Sequence, residues 1–218
     1  MEKLSAEAFK KLREQGAGVA DLRAGESVIQ GFIKESLAFG SSDNFLAHAH
    51  AFMGAAQPGK KQLPLLLIGD PEADLTAQLN LANIPIKGFL DGGWEAWVAM
   101  GGEVDMLIDI EPDELMMDIP FDDNLVILDI RPEIAFAEGH LKDAVNIPLS
   151  QFSDPLRLAA IEDKDNLYLL GENSTETILA ATYLKKHEIH NLRIVTGGWE
   201  AVQKEEKAEI VKDPRILN

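Results

Sequence analysis

Two apolar runs in this sequence end in a glycine and an acid: Leu65-Leu66-Leu67-Ile68-Gly69-Asp70 and Leu167-Tyr168-Leu169-Leu170-Gly171-Glu172. Short continuous apolar runs suit parallel strands covered on both faces. In sheets of that kind, ligands sit at the carboxyl ends of the strands. The residues after Gly69 and after Gly171 are therefore where chemistry is expected. Beyond Gly171 come Glu172, Asn173, Ser174, Thr175, Glu176 and Thr177. Ser174 and Thr175 bring hydroxyls, but a hydroxyl needs a base before it attacks a carbonyl or phosphoryl centre. The chain has no cysteine, which excludes disulfides, thiolate metal sites and a thiolate nucleophile. The histidines do not supply a site. His48 and His50 stand at i and i+2, off any shared helical face, with no carboxylate at ligand spacing. His187 and His190 fall at a helix end, where a solvated role is expected. His140 follows a glycine and is expected to bond to backbone. No metal and no cofactor is expected.

The elements that position these residues occur twice. Gly92-Gly93-Trp94-Glu95-Ala96 returns as Gly197-Gly198-Trp199-Glu200-Ala201. Asp21-Leu22-Arg23 answers Asp129-Ile130-Arg131. Eight residues after each Arg comes a Gly (Gly31, Gly139), and three further on a Lys (Lys34, Lys142). The matched words keep their order while their offset drifts, so one unit has been copied with small insertions and deletions. Residues 1–103 and 104–218 are expected as two domains, since a unit of this size can hold its own core. Strand and helix signals alternate in both: a helix capped by Ser5, a strand over Gly18–Asp21, a helix over Ala73–Leu81 and one from Trp94. The second unit has a helix from Pro112, strands over Leu125–Leu128, Ala144–Ile147, Leu167–Leu170 and Leu192–Val195, and helices over Ile178–Lys186 and Trp199–Lys207. Such alternation predicts an α/β fold with a parallel sheet in each half, flanked by helices on both faces. Val104 to Ile110 joins the halves and is not rich in Gly or Ser, which predicts packed rather than loosely tethered domains.

The net charge is −17. Residues 1–103 carry 13 acids and 9 bases, and residues 104–218 carry 24 acids and 11 bases, so the second half holds most of it. This disfavours nucleic acid and anionic membranes as partners. The longest apolar run, Leu63 to Ile68, is far short of a membrane span. The first residues show no basic stretch followed by an apolar one, and a cytoplasmic protein is the expectation.

The second half resembles a rhodanese domain. Asp129-Ile130-Arg131 resembles the Asp-x-Arg that ends an early strand in that family. Gly139-His140-Leu141 through Ala144, Asn146, Ile147 and Pro148 resembles its Gly-His-Ile…Ala-x-Asn-Ile-Pro segment, and Gly197-Gly198-Trp199 its closing Gly-Gly-Trp. The first half is more divergent; Phe32 stands where the family has His, while Asp21, Arg23, Gly92, Gly93 and Trp94 keep their places. The pair is similar to the tandem rhodanese portion of proteins that also carry a metallo-β-lactamase-fold domain and act in sulfide and persulfide metabolism.

The resemblance implies five-stranded sheets. It also implies an active-site loop that begins with Cys and wraps so that backbone N–H groups face its sulfur, forming an anion cradle. The thiolate takes a sulfane sulfur from a donor and passes it on. Counted back from Ala180-Ala181, the Cys position falls on Gly171; in the first half it falls on Gly69. Gly171 to Thr177 therefore reads as a vestigial loop of full length, whereas the first loop is three residues shorter. Glu176 replaces an Arg found in many active loops, and with Glu172 it opposes an anionic donor by about 2–3 kcal/mol per charge pair at ~6 Å. The second loop is expected to keep a usable cradle for a cysteine installed at 171. Asp129, Arg131 and His140 are expected to be scaffold. The expected function is a catalytically inactive tandem rhodanese that binds or regulates a sulfur-handling partner, one of metallo-β-lactamase fold included. The alternative is a sulfurtransferase or a loop-based hydrolase acting by an unrecognised route.

Overall fold

The computed structural model describes residues 1–40, 48, 49, 52, 64–69, 84–162 and 164–213. The expected helix over Ala73–Leu81, His50 and the loop after Gly69 lie outside the described residues. The chain divides into two compact units, Met1–Met106 and Leu107–Asn218; the expected join lay between residues 103 and 104.

In the first unit, β1 (Lys3–Leu4) leads into α1 (Ala6–Glu14). Ser5 has extended backbone, and its hydroxyl accepts from the Ala8 N–H, closing the helix start. Phe9 on the inner face is fully buried. Then follow β2 (Gly18–Asp21), α2 (Gly25–Gln30), β3 (Phe32–Ile33), β4 (Leu37–Ala38), β5 (Leu65–Ile68), β6 (Ile86–Leu90), α3 (Gly93–Ala99) and β7 (Val104–Asp105). The sheet runs β1-β6-β5-β2-β4, and every pairing is parallel. All four residues of β5 are buried, as a strand covered on both faces requires. Phe9, Val19, Leu66, Ile68, Leu90 and Trp97 form one core cluster.

The second unit begins with β8 (Asp109–Ile110) and α4 (Pro112–Asp118), where Pro112 takes the first helical position. Next come β9 (Leu125–Asp129), α5 (Glu133–Glu138), β10 (His140–Leu141), β11 (Val145–Asn146), a short helix α6 (Pro155–Leu158), β12 (Asn166–Leu170), α7 (Ser174–Lys186), β13 (Leu192–Val195), α8 (Gly198–Val202) and β14 (Ile210–Val211). The sheet order is β11-β9-β12-β13-β8, again all parallel. Read from β8, this is the succession found in the first unit read from β1. The fold is thus α/β, with two parallel five-stranded sheets flanked by helices.

Three elements differ from expectation. The stretch from Val104 to Ile110 is no plain connector: Val104–Asp105 pairs antiparallel with β3, and Asp109–Ile110 forms the edge strand beside β13. Helix α8 stops at Val202 instead of near Lys207. Beyond it a turn, in which the Ala208 N–H donates to the Glu205 carbonyl, returns the chain so that β14 pairs with β10. Helix α7 starts at Ser174, four residues before the expected start, with consequences for the site.

Candidate functional site

The Asp-x-Arg word builds a frame at the end of β9. Asp129 ends the strand fully buried, and Arg131 is nearly as buried. The Arg131 Nε donates to Asp129 Oδ1 at 3.0 Å and Nη2 donates to Oδ2 at 2.6 Å, a two-pronged pair. Nη2 also donates to the Gly139 carbonyl at 2.8 Å, and the guanidinium lies 4.0 Å from the centre of the Trp199 ring. Asn146 Nδ2 ties the frame to β11 by donating to the Asp129 and Arg131 carbonyls, both at 2.9 Å. Asn146 thus fixes the peptide that carries the ion pair, a role its place in a sequence word does not reveal. The first unit repeats the device: Arg23 pairs with Asp21, donates to the Gly31 carbonyl at 2.7 Å and lies 4.6 Å from the centre of the Trp94 ring. The spacing of eight from Arg to Gly is therefore the reach of one guanidinium across a short helix to the carbonyl at its end.

His140 is buried, with Nδ1 2.8 Å from the Phe136 carbonyl and its ring stacked on Phe136 at 3.6 Å between centres. The contact is with backbone of the preceding helix, and Phe32, fully buried, holds the corresponding place in the first unit. His187 packs beside Tyr183 at 4.4 Å. Burial, with Lys186 beside it, holds the His187 imidazole below its ordinary range. Exposed His190 meets the Glu188 carboxylate at 3.1 Å. Among the described residues no group of three or more His, Asp or Glu is placed to hold a metal ion.

The end of β12 leads into α7 after three residues. Only Gly171, Glu172 and Asn173 are non-helical; Ser174, Thr175, Glu176 and Thr177 form the first turn of α7. Asn173 caps it, its side-chain oxygen accepting from the Glu176 N–H at 3.0 Å. The Thr177 N–H and hydroxyl both donate to the Asn173 carbonyl, at 3.3 and 2.8 Å. A cradle needs successive N–H groups turned towards one point, in an αR-αL or turn conformation. No residue from 172 to 177 has positive φ, and the N–H groups of Glu176 and Thr177 already have partners. Two of the N–H groups in 171–177 are thus turned to Asn173. Asn-x-x-Glu ahead of Ile178-Leu179 is itself a helix-start signature, and it was there to be read.

Gly171 is buried and closely packed. A Cβ built there meets the Thr177 hydroxyl and comes within 3.2 Å of Ile130 Cδ1. Its carbonyl accepts from the Trp199 N–H at 2.9 Å. Gly197 caps α8 with φ 67°, and Gly198 at φ 57° brings its Cα so near the Gly171 carbonyl that a side chain has no room. The closing Gly-Gly-Trp thus clamps the strand end from the opposite side. In the first unit Gly92, φ 72°, caps α3 in the same way, followed by Gly93 and Trp94. Gly69 has φ 92° and lies beside the Arg23 backbone. Glu172 is exposed, and Glu176 sits in the first turn of α7, where the helix favours a carboxylate.

With Asp-x-Arg, Gly-His and Gly-Gly-Trp converging on one strand end, the comparison with known proteins falls on the second unit. Residues 111–205 match the rhodanese-like domain family. The match covers less than half of the chain. Similar solved structures include the rhodanese-like domain of an Anabaena sp. protein, 18% identical, covering 49% of this chain and 80% of that one with a TM-score of 0.44. A rhodanese-related protein from Thermoplasma volcanium is 19% identical, covering 48% and 97%, with a TM-score of 0.42. The thiosulfate sulfurtransferase from Pseudomonas aeruginosa is 12% identical and covers 98% of this chain, with a TM-score of 0.38; the chain spans only 44% of that enzyme's length. No curated protein matches the chain. The matched segment carries Gly171 where the resemblance places the nucleophile, in a chain without any cysteine. Among the described residues no helix is long and apolar enough to cross a membrane.

Proposed function

We propose that the chain is a catalytically silent tandem rhodanese-like protein that binds or regulates a component of sulfur or persulfide metabolism. The observation that carries this is the strand end at Gly171. Sulfur transfer of the rhodanese kind needs a thiolate to hold the sulfane sulfur and donors to stabilise it. The sequence supplies no thiol. The N–H groups of Glu176 and Thr177 are bonded to Asn173, and the Thr177 hydroxyl fills the space of the missing side chain. Neither Ser174 nor Thr175 takes over, since a hydroxyl forms no persulfide and needs a base before it attacks. The paired frames Asp21–Arg23 and Asp129–Arg131 support reading both halves as copies of one domain. A metallo-β-lactamase-fold or other sulfur-handling enzyme is the partner class that the resemblance suggests.

The test adds the purified full chain to a persulfide-processing enzyme of metallo-β-lactamase fold from the same organism. A complex at micromolar concentrations, with a changed kcat or KM, is the expected result. Independent elution with unchanged kinetics, for this and other sulfur-handling enzymes of that organism, would count against the regulatory role.

A further inference from the structure

From Gly88 to Ile130 the sequence has no Lys, Arg or His, and its second half is crowded with acids. Helix α4 and the turn after it lie there. The segment Met117-Asp118-Ile119-Pro120-Phe121-Asp122-Asp123 alternates large apolar and acidic residues. Its apolar members do not enter the core. Met117 is 51% exposed, Ile119 41% and Phe121 88%. A phenylalanine held almost wholly in water beside two other exposed hydrophobics is a patch that calls for a cover. Beside it a hollow of about 300 Å³ opens, floored by Met116, Ile119, Pro120 and Leu141. Lys142 and Lys207 stand on its rim with Asp143 and Glu209, and Lys142 is held by Glu209 at 2.8 Å.

The acids divide by use. Asp118 accepts from the Tyr168 hydroxyl at 2.6 Å, and Asp122 accepts from Asn166 Nδ2 at 2.6 Å, so both are anchored internally. Glu111, Glu114 and Asp123 are exposed and give the patch its negative rim. A second copy of this chain is a poor cover, because each copy carries −17, and an anionic membrane is repelled for the same reason.

We propose that α4 and the turn through Asp123 form a docking surface for a basic, amphipathic segment of a partner protein. An apolar side chain of that segment enters the hollow, a neighbour covers Phe121 and Met117, and flanking Lys or Arg residues face Glu111, Glu114 and Asp123. The proposal stands whether or not the strand end at Gly171 is silent.

The experiment uses the full chain and two labelled peptides of equal charge: a Lys/Leu peptide of about 14 residues with helical spacing of the leucines, and a Lys/Ser peptide of equal length. Anisotropy is read at about 50 mM and about 300 mM salt. The Lys/Leu peptide should bind at least about tenfold more tightly than the Lys/Ser peptide, and Met117→Ser with Phe121→Ser should remove about tenfold of that affinity. Glu114→Gln with Asp123→Asn should weaken binding several-fold at the lower salt and little at the higher. All four sites are exposed, and unchanged melting of the variants confirms the fold. Equal binding of both peptides, or of wild type and the Met117/Phe121 variant, would overturn the proposal. So would a sedimentation shift showing that these apolar residues hold two copies of the chain together.

Discussion

Arg131 spends its guanidinium on three things at once: the Asp129 carboxylate, the Gly139 carbonyl and the face of Trp199. Lysine matches neither the fork nor the stacking, and removing the cation strands a carboxylate that is fully buried. Arg131→Met is expected to cost about 3–5 kcal/mol in chemical denaturation, with Arg131→Lys recovering only part. Arg23→Met should cost less, because Arg23 keeps 15% of its side chain in water against 2% for Arg131. Equal losses at the two sites would show that burial does not set the cost. Gly171 carries a second prediction at this scale. Gly171→Cys drives its Cβ into the Thr177 hydroxyl and towards Ile130, and overpacking of this kind costs about 1–3 kcal/mol. Thr177→Ala should restore part of that stability and Thr177→Ser should not, since serine keeps the hydroxyl. Adding Glu176→Arg to Gly171→Cys should leave thiosulfate turnover unchanged, because residue 176 lies in the first turn of α7 with its own N–H bonded to Asn173. A tenfold rise in kcat/KM would show that the cradle re-forms and that α7 unwinds to allow it.

Helix α7 owes its early start to Asn173. Asn173→Ala should cost about 1 kcal/mol and fray the first turn, read as faster amide exchange at Glu176 and Thr177; unchanged exchange there would mean that tertiary packing alone holds the turn. The turn between β10 and β11 stores a different cost, since Asp143 has φ 63°, as Glu35 has φ 65° at the matching place in the first unit. A left-handed non-glycine residue carries a penalty that glycine avoids. Asp143→Gly is therefore expected to stabilise by up to about 1 kcal/mol in thermal melting, despite the added freedom of the unfolded chain. At this scale the sequence was legible where periodicity and turn residues agreed. The strands over Gly18–Asp21, Leu65–Ile68 and Leu192–Val195 stand where their apolar runs place them. Two-residue strands such as β10 and β14 carry too few residues for a period to show, and their pairing is decided by distant partners. The boundary at Ser174 was misplaced for a different reason. The resemblance supplies a loop length, while Asn173 inside that stretch caps a helix. The frame around Asp129 and Arg131 was legible as a motif, but its third member, Asn146, emerges only when β11 is brought beside β9.

For the molecule as a whole, pH offers a readout of the second core. Burial, then the hydrogen bond to Asp118, pushes the Tyr168 phenol up to about 12. The native state therefore keeps a proton that the unfolded chain gives up near the ordinary tyrosine value. That contribution is complete below about pH 10 and is lost as pH rises towards about 12, and screening by nearby water holds it to about 1 kcal/mol. Tyr168→Phe should flatten this part of the stability profile; an identical alkaline slope in both proteins would mean that other groups drive the loss. The two units share a strand order and an Asp–Arg frame, and their charges differ because most of the −17 lies beyond residue 103. The proposed loss of sulfur transfer stands or falls on chemistry. The most direct measurement is thiocyanate formation from thiosulfate and cyanide by the purified full chain, with metal and contaminating enzymes excluded. The account predicts a rate equal to the protein-free background across the pH range in which the chain is folded. Thiocyanate formed in proportion to protein concentration would contradict it.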